Sequence, residues 1–63
     1  MTLTPAQLEA LEELTRRYGE ARVARLLGTS VPTLDTLAIG RGKAETALRI
    51  GRAIDAIRRG GMP

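Results

Sequence analysis

Apolar residues recur along this chain at the spacing of helix faces, in runs separated by glycine. The first run is Leu8, Leu11, Leu14 and Tyr18, a single stripe at three- and four-residue intervals. A start signal precedes it. Thr4 and Gln7 have capping-box spacing, Pro5 falls at the first helical position, and Leu3 can close on Leu8 as a hydrophobic staple. Gly19 ends this helix. Val23, Ala24 and Leu27 then mark one face of a shorter helix, stopped by Gly28, the residue type that most readily takes the left-handed conformation. Ser30 is a natural N-cap for a third helix, with Pro32 in its first turn and Leu34, Leu37 and Ala38 turned inward. Ala24 supplies the small side chain that two steeply crossing helices need. Gly40 reads as the next helix stop, and a last stripe runs through Ala47, Ile50, Ile54 and Ile57, with Gly51 beside it allowing close approach. The pattern predicts helices at residues 5–18, 20–27, 31–38 and 44–58, no strand, and a frayed tail at 60–63.

The expected core is Leu8, Leu11, Leu14, Val23, Ala24, Leu27, Leu34, Leu37, Ile50 and Ile54, in one domain spanning residues 1–63. That length is near the lower limit for folding without a metal or disulfide. Tyr18 is the only aromatic residue, so the core must be aliphatic and a second subunit would add stability. Cysteine and histidine are both absent, which excludes disulfides, thiol chemistry and the usual zinc sites. There is no apolar run of ~18–20 residues and no signal-peptide pattern, so the expected setting is cytoplasmic. Internal repeats and low-complexity segments are absent.

Charge changes the picture. The formal net charge is +3, but Glu9, Glu12 and Glu13 precede every basic residue, and the chain from Arg16 onward is much more basic. Such a balance favours a polyanionic partner, although a solvated helix surface accounts for the same residues. Glu12–Arg16, Glu13–Arg17, Glu45–Arg49 and Asp55–Arg59 have the spacing of i,i+4 pairs. With its apolar residues inward, the second helix turns Arg22 and Arg25 outward. The third exposes Pro32, Asp35, Thr36 and Ile39, with Thr33 at the margin. Arg41 and Lys43 follow in a Gly-Arg-Gly-Lys loop that lacks the spacing and preceding strand of a phosphate-binding P-loop. They are either phosphate clamps or solubilising loop charges. Leu48 falls well off the last stripe and is the candidate for a subunit contact.

Val23-Ala24, Leu27-Gly28, Ser30, Thr33-Leu34 and Leu37 together resemble the motif of the phage-repressor (Xre/Cro-like) helix-turn-helix family. Thr29 stands where that family usually has an aliphatic residue. The resemblance implies an all-α, compact four-helix domain of lambda-repressor-like type, with a helix-turn-helix at about residues 20–38. It also implies double-stranded DNA as partner, the second motif helix entering the major groove while the first crosses the backbone. Pro32, Thr33, Asp35, Thr36 and Ile39 would then face bases. Ser30, Arg22 and Arg25 would lie near phosphates, joined by Arg41 and Lys43.

That face carries no Arg, Lys, Gln or Asn, the side chains that make the strongest base contacts. Asp35 can accept from a cytosine amino group, or it can simply solvate the helix. Pro32, Thr36 and Ile39 can touch a thymine methyl, and Pro32 and Ile39 can equally form a protein contact. Catalysis lacks support, because there is no His, no Cys and no Ser paired with a base. The expectation is a sequence-specific DNA-binding regulator, a repressor acting as a homodimer on a palindromic operator. It needs no metal, cofactor or membrane. The alternative is an interaction module of the same fold, antitoxin-like or adaptor, that reads no bases.

Overall fold

Helix α1, Pro5–Tyr18, begins on the reciprocal cap that its sequence specifies. The Thr4 hydroxyl accepts from the Gln7 N–H at 3.1 Å, and the Gln7 side-chain oxygen accepts from the Thr4 N–H at 2.9 Å. Leu3, just before the cap, is buried beneath it. A computed structural model describes residues 2–60, and the expectation of a frayed tail falls, beyond Gly60, outside these residues. Gly19 both closes α1 and opens α2, Glu20–Leu26: its N–H donates to the Thr15 carbonyl, and its own carbonyl accepts from Val23. Helix α3 is Val31–Ala38 and helix α4 is Ala44–Gly60. No strand occurs among the described residues.

The boundaries differ from the sequence pattern at two ends. Leu27 caps α2 instead of belonging to it. Helix α4 continues through Arg59 to Gly60. A glycine at the end of a long helix costs only about 1 kcal/mol, which does not forbid one more residue.

Helix α1 packs on α2 and α4, and α2 packs on α3. The largest fully buried side chains are Val23 of α2, Leu37 of α3, and Ile50 and Ile54 of α4. Leu11, Leu14, Ala24, Leu27, Leu34 and Ala47 complete the interior with Leu3. Leu8 is half-buried and packs against this core from its edge. Ala38 is exposed, against the inward placement its spacing suggests. It lines an open groove between α1 and α3 whose floor is Leu8, Leu11 and Leu34, and its short side chain does not reach the interior.

Of the four i,i+4 pairs that the sequence suggests, Glu13–Arg17 alone forms among the described residues. Arg16 pairs with Glu13 at 2.7 Å and not with Glu12, while Arg17 reaches the same Glu13 at 3.5 Å. Asp55 is approached by Arg58 at 3.7 Å, not by Arg59, and accepts from the Gln7 amide at 3.1 Å. Arg49 leaves Glu45 and donates to the Gly28 carbonyl at 3.3 Å. Asp55 and Arg49 both find partners in distant parts of the chain, which local spacing does not register.

Gly51 is buried where α4 meets α1, and a Cβ there would lie 2.9 Å from the Gln7 side-chain nitrogen. Gln7 is held by its bonds to Thr4 and Asp55, so it cannot move without giving them up.

Two stability predictions result. Leu34→Ala removes a buried side chain that joins α3 to the core and should cost ~2–5 kcal/mol. Thermal melting within ~2 °C of the parent would contradict the inward placement of Leu34. Gly51→Ala gains roughly 0.5–1 kcal/mol of helix preference but displaces Gln7, breaking hydrogen bonds worth roughly 1–3 kcal/mol. It should therefore destabilise the parent yet stabilise a Gln7→Ala variant. A double-mutant cycle in urea checks the reversal of sign; the same sign in both backgrounds would clear Gln7 as the obstacle.

Candidate nucleic-acid interface

The junction between α2 and α3 is fixed by backbone chemistry. Gly28 has φ +70°, and its N–H donates to the Arg25 carbonyl at 3.1 Å. Thr29 N–H donates to the Ala24 carbonyl at 2.8 Å, completing the paired bonds of a Schellman turn. A side chain at Gly28 would be strained by this left-handed backbone, although a Cβ there would meet only the Arg49 guanidinium, at an ordinary 3.9 Å. The Arg49 side chain adds a third tie, from α4 to the Gly28 carbonyl. Half-buried Thr29 sits within this turn.

Ser30 caps α3. Its hydroxyl accepts from the Thr33 N–H at 3.4 Å and lies 2.9 Å from the Thr33 hydroxyl. The Thr36 hydroxyl donates back to the Pro32 carbonyl at 2.9 Å, so it is committed within the helix. Thr36 is also half-buried, not fully exposed as the helical wheel suggests. The outward ridge of α3 is consequently Pro32 and Asp35, continued by Ile39 at the C-cap. Ile39 is 72% exposed, the highest value for a large apolar side chain among the described residues.

The two flanks of this ridge differ in charge. On one side Pro32, Thr33 and Thr36 border a hollow of about 350 Å³ shared with Lys43 and Thr46. On the other, Asp35 lines the α1–α3 groove of about 640 Å³, together with Glu9, Glu12 and Glu20 and one arginine, Arg16, which is paired with Glu13. None of these four carboxylates forms an ion pair among the described residues.

Arg22 and Arg25 are exposed on α2, on the side away from buried Val23, Ala24 and Leu27. Arg41 and Lys43 are exposed in the loop after α3. None of the four is in an ion pair among the described residues. Arg41 is held at its backbone, because Gly40 N–H donates to Leu37 and Arg41 N–H to Thr36, a second Schellman turn. The structure thus brings Lys43 beside Thr33 and Thr36, while Arg22 and Arg25 stand on a different helix. Asp35, exposed on the ridge, also borders the α1–α3 groove. Leu48, on α4, is 45% exposed.

Sequence reasoning misses Thr46 at the hollow and Arg49 behind the turn. Arg49 has no local signal, because its acceptor is the Gly28 carbonyl in the turn beyond α2 and nothing in the sequence says which distant residue bonds it. Among the described residues no group of three or more acidic side chains is arranged to hold a metal ion, and no helix is long and apolar enough to cross a membrane. Comparison with protein-family models, curated proteins and solved structures gives no match for this chain.

Proposed function

We propose that this protein is a sequence-specific, double-stranded DNA-binding regulator, with α2 and α3 as a helix-turn-helix in a lambda-repressor-like four-helix domain. The observation that carries the reading is the α2–Gly28–α3 junction and its capped third helix, with Lys43 beside Thr33 and Thr36 and with Arg22, Arg25 and Arg41 exposed on α2 and in the loop after α3, none of the four in an ion pair among the described residues. In this architecture α3 lies along the major groove and α2 crosses the backbone. Pro32, Asp35 and Ile39 then meet base edges, with Thr33 and Thr36 at the border of that surface. Arg22, Arg25, Arg41 and Lys43 meet phosphates, and Ser30 stands at the helix start near the backbone.

Phosphate contacts supply most of the affinity, because the ridge of α3 offers no cationic or amide side chain for the bases. One such helix covers too few base pairs to select a site among many competitors. The active form is therefore a homodimer on a palindrome, its two α3 helices about 34 Å apart along the DNA. Leu48 is the proposed contact. The expected action is repression by occupancy of the operator.

A second reading is favoured by one observation, the apolar-floored α1–α3 groove with four carboxylates that have no ion pair among the described residues. Those charges repel phosphate and suit a basic protein segment, which would make the chain an interaction module.

Gel shifts at several salt concentrations separate the readings. The parent should bind random duplex at low salt and lose affinity steeply as salt rises. Arg41→Ala should weaken operator and random DNA alike and flatten the log–log slope by about 0.9 for each phosphate no longer neutralised. Equal slopes would remove Arg41 as a clamp, and no binding by the parent at low salt would favour the interaction module. Sedimentation equilibrium at high micromolar concentration should give a dimer. A strictly monomeric mass with one protein per bound site would contradict the assembly.

A further inference from the structure

The outward surface of α3 is chemically narrower than its sequence suggests. Thr36 spends its hydroxyl hydrogen on the Pro32 carbonyl. Ser30 and Thr33 share a hydrogen bond at 2.9 Å, so at most one hydroxyl hydrogen of that pair is free, and it sits at the helix start. What remains along the ridge is the Pro32 ring, the Ile39 side chain and the Asp35 carboxylate. A carboxylate only accepts, and the other two groups are aliphatic.

Each base presents different groups in the major groove. Guanine offers only acceptors there, N7 and O6, and adenine and cytosine offer an amino group. Thymine alone carries an apolar group, its C5 methyl. A ridge of one acceptor between two aliphatic groups has nothing to give guanine. We infer that this ridge recognises DNA through thymine C5 methyls, packed against Pro32 and Ile39, and is blind to guanine, with Asp35 taking an amino hydrogen from adenine or cytosine between them. The spacing suits this division: Asp35 lies three residues after Pro32 and four before Ile39, so Pro32 and Asp35 share a face of the helix that Ile39, its C-cap, continues. The inference rests on the DNA-binding reading and adds the chemical group that is read.

The test takes a duplex selected by the full chain from a randomised pool and makes two altered copies, one with uracil for thymine and one with 7-deazaguanine for guanine. Uracil lacks only the methyl, and 7-deazaguanine lacks only the N7 acceptor. Uracil substitution should weaken binding about fourfold for each contacted methyl. The 7-deazaguanine duplex should bind like the unmodified one. Ile39→Ala and Pro32→Ala, both at exposed positions, should each reduce the thymine–uracil difference. Equal binding of thymine and uracil duplexes overturns the inference, as does a loss on 7-deazaguanine as large as that on uracil. A thymine–uracil difference that persists undiminished in both variants also overturns it, because it would then reflect duplex shape and not contact. Failure of these arms while random duplex still binds at low salt leaves the DNA-binding reading intact. Absence of all duplex binding removes both.

Discussion

Burial of a small aliphatic core governs everything else in this structure. Val23, Leu37, Ile50 and Ile54 are its largest fully enclosed side chains, and they come from three different helices. Tyr18, the one aromatic residue, packs only at the edge, and there is no cysteine or histidine to add a disulfide or the usual zinc site. A core of this size leaves little surplus over conformational entropy, so helices α2 and α3, each too short to persist alone, exist because they are packed. Their ends must then be terminated without orphaned backbone groups. That is why Schellman turns close both of them and a serine opens α3.

What is legible in the sequence divides along the same line. The capping box at Thr4 and Gln7, the stop at Gly28 and the cap at Ser30 are readable because each acts through the next few residues. The core stripes are readable because helical periodicity fixes which side chains face inward. Contacts between helices are not. Arg49 and Asp55 find partners 21 and 48 residues away in sequence, for which no local rule exists. Arg16 takes Glu13 over Glu12 although both spacings permit a pair. Spacing alone misplaces Ala38, because its exposure depends on how far α1 closes over α3. The candidate interface shows the same division: its charges are visible in the sequence, but the internal commitment of the Thr36 hydroxyl is not.

The charges without ion pairs are unevenly placed. Glu9, Glu12, Glu20 and Asp35 border one groove, while Arg22, Arg25, Arg41 and Lys43 stand elsewhere, and none of the eight is ion-paired among the described residues. Isolated surface charges contribute little to stability, so this arrangement is no requirement of the fold. In the proposed complex the carboxylates of that groove disfavour its approach to phosphate.

The connections carry a consequence for motion. Gly19 alone separates α1 from α2, and the remaining links are residues 27–30 and 39–43, both tied down by backbone hydrogen bonds. These short links leave little slack between α3 and its neighbours. Its inner face, Leu34 and Leu37, belongs to the common core, so detaching α3 uncovers core side chains and draws on the stability of the whole molecule. The backbone under Pro32, Asp35 and Ile39 is therefore held by the packing that holds the core, while the exposed side chains stay free to change rotamer.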